Sequence, residues 1–78
     1  MLNISSDLHV NQPTVTTVGN TFISIENYIS IVTYEKDLIK IKTKVKIIKI
    51  VGEKLSLKYI EDGEIGISGI IYSIEYVD

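Results

Sequence analysis

The chain has 78 residues, ten acidic and eight basic side chains, a formal net charge of −2, and no cysteine. That length holds a single domain whose core must be dense in apolar groups to be stable at all. Without cysteine there is no disulfide framework, thiolate nucleophile or thiol metal ligand, and the reducing cytoplasm is the expected compartment.

Isoleucine occurs sixteen times and valine seven, whereas alanine is absent. Such β-branched mass is stiff at χ1 and suits a pleated surface, so a mostly helical chain is disfavoured. Residues 1–12 are polar, lack periodicity, contain the one histidine, His9, and read as a flexible arm. The opening Met1-Leu2-Asn3-Ile4-Ser5-Ser6-Asp7 has neither a basic stretch nor an apolar run of signal-peptide length, which predicts an unexported chain. Pro13 lacks a backbone donor and is best tolerated at a strand start, so the folded domain is expected over 13–78.

From there the pattern predicts about eight short strands, at 14–18, 21–26, 29–34, 38–43, 45–51, 54–60, 64–68 and 70–77. Gly19-Asn20 suits a tight hairpin, Glu26-Asn27 reads as the next turn before Tyr28, Glu35-Lys36-Asp37 is a polar turn, and Glu61-Asp62-Gly63 places glycine where a left-handed residue is wanted. Alternation is clearest in Ile39-Lys40-Ile41-Lys42-Thr43-Lys44, with isoleucines facing a core and lysines facing solvent. Ile47-Ile48 and Ile70-Ile71 break the period and put apolar groups on both faces, which calls for a bulge, a second covered face or a partner chain and motivates a homo-oligomer. The segment Ile65 to Ile74 is uncharged, but glycines and serines interrupt it and it is far shorter than a membrane helix requires.

Sequential hairpins imply an all-β antiparallel meander forming a small sandwich or barrel. An internal echo at an offset of seventeen, Ile48, Ile50, Gly52 and Tyr59 against Ile65, Ile67, Gly69 and Tyr76, admits a short β-solenoid-like roll as the alternative.

Residues able to carry chemistry are scarce. His9 is a lone histidine in a polar arm and reads as a surface residue. Glu61, Asp62 and Glu64 lack the spacing of a calcium loop and read as a solvated turn. Gly52, Gly63, Gly66 and Gly69 form neither a dinucleotide fingerprint nor a Walker motif. No catalytic, metal-binding or cofactor-binding residue is expected, and no enzyme. All lysines lie between Lys36 and Lys58, so Lys40, Lys42, Lys44, Lys46 and Lys49 define the alternative function, a nucleic-acid-binding small barrel. The absence of arginine favours instead a solvated, lysine-guarded strand face.

The ordered set Gly19-Asn20, Phe22, Ile23, Ile25-Glu26-Asn27-Tyr28, Ile31, Tyr34, Ile39, Ile41, Gly52, Leu55, Leu57, Glu64-Ile65, Ile67, Gly69, Ile71 and Ile74-Glu75-Tyr76 resembles the YabP/YqfC family of sporulation proteins, and is more similar to the YqfC branch. The similarity spans about 13–78. Two departures stand out: Lys46 occupies a place where the family commonly has glycine or another turn residue, predicting a longer or bulged hairpin, and most of the N-terminal extension of the YqfC branch is missing. The resemblance implies a protein of endospore formation, made in the mother cell and cytoplasmic, with no recognised enzymatic activity and no active-site residues. It also implies a membrane-bound partner from the same sporulation programme. Within that family Gly19, Asn20, Glu26, Asn27, Tyr28, Gly52 and Gly69 serve as markers or turn residues.

Overall fold

The computed structural model describes residues 12–78; His9 and nearly all of the expected arm lie outside them. Six strands follow in order, β1 (Thr14–Val18), β2 (Phe22–Glu26), β3 (Tyr28–Tyr34), β4 (Leu38–Thr43), β5 (Ile47–Glu61) and β6 (Glu64–Val77). They form one open antiparallel sheet in the order β1-β2-β6-β5-β4-β3, and no helix is present among the described residues. The all-β antiparallel class is as the β-branched composition predicts.

Six strands replace the expected eight because 45–51 and 54–60 belong to the one strand β5, and 64–68 and 70–77 to β6. Gly52 and Gly69 fall between expected strands but break neither β5 nor β6. They are bends, at which β5 and β6 stay paired through register shifts between Val51 and Gly52 and between Glu53 and Ser56, with a third shift between Leu57 and Tyr59 nearer the turn. A Cβ at position 52 would lie 2.0 Å from the Ile70 carbonyl oxygen, and one at position 69 would lie 2.7 Å from that of Lys54. Only glycine permits the two backbones to approach so closely. Lys54, with φ of 56°, completes the kink.

The succession of hairpins is broken once. β2 and β3 are consecutive yet not neighbours, because β6 pairs with β2 and β3 pairs with β4. Asn27 alone joins them, in the left-handed region at φ 65°, where asparagine is among the few tolerated residues. Its amide donates to the Gly63 carbonyl at 3.0 Å and its Nδ2 to that of Gln12 at 2.9 Å, which fixes the crossing point.

The result is two four-stranded halves that share one long hairpin. One half is β1, β2 and the strand segments flanking the Asp62-Gly63 turn; the other is β3, β4 and the remote ends of β5 and β6. Asp62 and Gly63 have φ of 49° and 77°, as a two-residue hairpin turn matched to strand twist requires. The seventeen-residue echo is the trace of this arrangement. Ile67 faces Ile23 of β2 as Ile50 faces Ile39 of β4, and Ile65 faces Ile25 as Ile48 faces Ile41. All pairings are antiparallel, so the echo is a pseudo-two-fold between halves and not a stack of solenoid rungs.

Ile23, Ile25, Ile39, Ile41, Ile48, Ile50, Ile65 and Ile67 have no accessible surface and join Leu55 and Ile71 in one core. A flat single layer would expose one side of every strand. Complete burial of isoleucines from β2, β4, β5 and β6 therefore requires the sheet to curl around them, its halves enclosing one apolar interior.

Candidate functional site

The alternation that buries Ile39, Ile41, Ile48 and Ile50 turns Lys40, Lys42 and Lys49 outward on the opposite face. Lys40 stands opposite Lys49, which in turn stands opposite Glu75, and Lys42 lies diagonally across. Three of the five expected lysines are thus brought together. The other two are not: Lys44 lies in the β4–β5 connection, and Lys46 Nζ reaches Asp78 Oδ1 at 3.0 Å in an exposed ion pair. Aromatic rings do not interleave with the three. Tyr28 and Tyr34 of the neighbouring β3 pair with Thr43 and Ile39, on the inward face of the sheet.

That connection replaces turn glycine with a side-chain device. Thr43 Oγ1 accepts from the amides of Val45 at 3.2 Å and Lys46 at 3.0 Å, while the Thr43 amide donates to the Lys46 carbonyl. Lys46 is accommodated without a left-handed residue, and β5 starts at Ile47, two residues later than the sequence pattern suggests.

The marker residues lie at three separate places. Gly19 and Asn20 form the tip of the β1–β2 hairpin, which docks on the bend at Gly69: Thr21 and Asn20 carbonyls accept from Gly69 and Ile71 amides at 3.1 and 2.7 Å. Gly52 marks the second bend, where the β3–β4 tip docks in the same way, Asp37 and Lys36 carbonyls accepting from Gly52 and Leu55 amides at 3.2 and 2.8 Å. Glu26, Asn27 and Tyr28 sit at the crossing between halves, Glu26 exposed and Tyr28 half-buried against the core.

One constellation went unnoticed in the sequence. Tyr59 lies across Gly66 on the outward face, its ring centroid 6.4 Å from that of Phe22, and its hydroxyl donates to Glu64 Oε2 at 2.6 Å. That bond, then burial, then the charges of Glu64, Glu61 and Glu26 push the Tyr59 phenol up to about 12. Counting outward from the Asp62-Gly63 turn places Tyr59 opposite Gly66, so hairpin register was the signal available. Packing an aromatic over a cross-strand glycine covers bare backbone, a structural task.

The remaining surface of interest is strand edge. Among the described residues β1 and β3 end the sheet, and because β4 reaches only Ile47–Val51 and β2 only Glu64–Ser68, the far parts of β5 and β6 also have a strand neighbour on one side only. Exposed apolar side chains lie along these edges, among them Ile29 and Val32 on β3, Ile60 on β5, and Ile70, Tyr72 and Tyr76 on β6.

A curled six-stranded sheet with a continuous isoleucine core and several one-sided strands defines a small all-β module presenting backbone edges. Among known families, the YabP family model matches residues 8–78, and the chain belongs to that family. The match is to the family as a whole and does not separate the YqfC branch. Membership carries the sporulation-related role that the resemblance implies. None of the curated proteins compared matches the chain.

Proposed function

We propose that the chain is a non-catalytic protein of endospore formation, acting in the mother-cell cytoplasm through contacts with itself or with a membrane-bound protein of the same programme. The observation that carries this reading is the set of one-sided strand segments bearing exposed apolar side chains. Such edges offer unpaired backbone groups and apolar area, which is what a partner adding a strand uses. Membership of the YabP family supports the sporulation context, and the membrane-bound partner follows only from the resemblance to the YqfC branch. Deleting the gene in an endospore-forming host should lower the yield of mature spores and leave vegetative growth unchanged. Normal spore yield would remove the assignment.

The outward trio Lys40, Lys42 and Lys49 keeps a second reading in view, a nucleic-acid-binding face. Backbone-driven binding of that kind weakens steeply with salt. The flanking Glu75 and the lack of interleaved aromatic rings favour the protein-contact reading. Titration with a single-stranded oligonucleotide at low ionic strength decides between them, since salt-sensitive binding abolished by replacing these three lysines would reverse the preference.

A further inference from the structure

The pseudo-two-fold makes the two long strands comparable, and their free edges are treated differently. Along β5 the edge beyond β4 is capped by the β3–β4 hairpin at Gly52 and Leu55 and again at Leu57, whose amide donates to the Tyr34 hydroxyl at 3.1 Å. Along β6 the matching hairpin caps Gly69 and Ile71. The residue in the register of Tyr34 is Thr17, opposite Ile23 as Tyr34 is opposite Ile39. Its hydroxyl sits one bond from Cβ and cannot span what a phenol spans. Among the described residues the caps on β6 therefore end at Ile71, and none lies along the free edge of the stretch that follows.

We propose that Tyr72–Tyr76 pairs antiparallel with the same stretch of a second copy of this chain, about a two-fold axis at Ile74. The inference rests on the protein-contact reading above and names the partner. Other edges carry the devices that prevent pairing: β3 has two bulges, the free part of β5 has Lys54, Lys58 and register shifts, and β1 is five residues long and follows Pro13. Tyr72–Tyr76 has no lysine and no proline; the shift between Val51 and Gly52 leaves Tyr72 as an extra residue at its start, and from Ser73 onward it runs in unbroken register against β5. Its side chains are self-complementary about Ile74. Tyr72 falls opposite the second copy's Tyr76, Ser73 opposite its Glu75, and Ile74 opposite its Ile74, so aromatic meets aromatic and the only charged side chain meets a hydroxyl. An axis through Glu75 would oppose two carboxylates, which selects the Ile74 register. Tyr72 and Tyr76 are 62% and 54% exposed in the single chain, so their apolar surface is available to be covered.

The test is the solution mass by light scattering and sedimentation across the micromolar range. The wild-type chain should be a dimer. Tyr72→Lys with Tyr76→Lys places like charges opposite each other twice and should weaken association roughly tenfold or more, whereas Tyr72→Lys with Tyr76→Glu places opposite charges there and should restore it. In the wild-type chain, protection of those Ser73–Tyr76 amides that face the free edge should rise with protein concentration, a readout that does not depend on any variant folding. A wild-type monomer, a dimer untouched by the like-charge pair, a well-folded charge-swapped variant that stays monomeric, or protection independent of concentration would each overturn the pairing. A monomeric chain whose deletion still impairs spores would overturn this pairing alone and leave the sporulation role standing.

Discussion

Tyr59 shows how one side chain ties the outward face to the hairpin. Its ring covers Gly66, where an added Cβ would lie 2.3 Å from a ring carbon, and its hydroxyl is held by Glu64. The bonded carboxylate favours the neutral phenol, so the pKa rises from 10.0 to about 12 in the folded chain. A phenol raised in this way contributes stability that is fully present below its ordinary pKa and is lost as pH climbs through about 12. Alkaline titration followed by tyrosinate absorbance should therefore show a late component that Tyr59→Phe removes. Glu64→Gln keeps an acceptor but deletes the charge, and should bring that component to lower pH. A late component unchanged in both variants would contradict the assignment. Tyr72, whose hydroxyl bonds to Glu53, is raised by the same cause and titrates late as well, so the Tyr59 component is identified by its loss in the variant and not by order alone.

At the scale of strands, the deciding contacts are hairpin tips laid on bends. Tyr34 extends one of them, and Tyr34→Phe should cost about 1 kcal/mol by leaving the Leu57 amide to water. The checkable signature is local: hydrogen exchange at Leu57 should accelerate while Gly52 and Leu55, held by Asp37 and Lys36, keep their protection. The β3–β4 and β5–β6 turns were legible in the sequence because a polar or Asp-Gly pair between alternating runs has one common use. Gly52 and Gly69 were not. A glycine that ends a strand and a glycine that lets two strands touch look alike until the partner backbone is known, here Ile70 across from Gly52 and Lys54 across from Gly69. The same limit hid the capping of β5 by Tyr34, since a bond spanning 23 residues leaves no local pattern. Lysines on an outward face were readable from period two, but which of them converge depended on the β4–β5 register that sets Lys40 opposite Lys49.

For the whole molecule, the left-handed residue Asn27 converts what alternation alone reads as a meander into two related halves sharing β5 and β6. Local periodicity describes each strand and is silent on which strand lies beside it, so the insertion of β6 next to β2 could not be read from the pattern. The shared hairpin has a thermodynamic consequence. Neither half has a core of its own, because the isoleucines of β2 and β4 pack into one cluster with those of β5 and β6. Unfolding either half would strip the other of its buried face, so the chain should melt in one cooperative step. Ile50→Ala and Ile67→Ala remove equivalent side chains from opposite halves, both without accessible surface, and each should cost about 2–5 kcal/mol. On a domain with total stability of order 5–15 kcal/mol, either loss lowers the midpoint steeply. Both variants should lower the same single transition, seen identically by far-ultraviolet dichroism and by exchange of amides in β2 and β4. If Ile67→Ala loosened β2 and left β4 protected, the halves would be separate folding units and the common core would not be what holds the sheet in its curl.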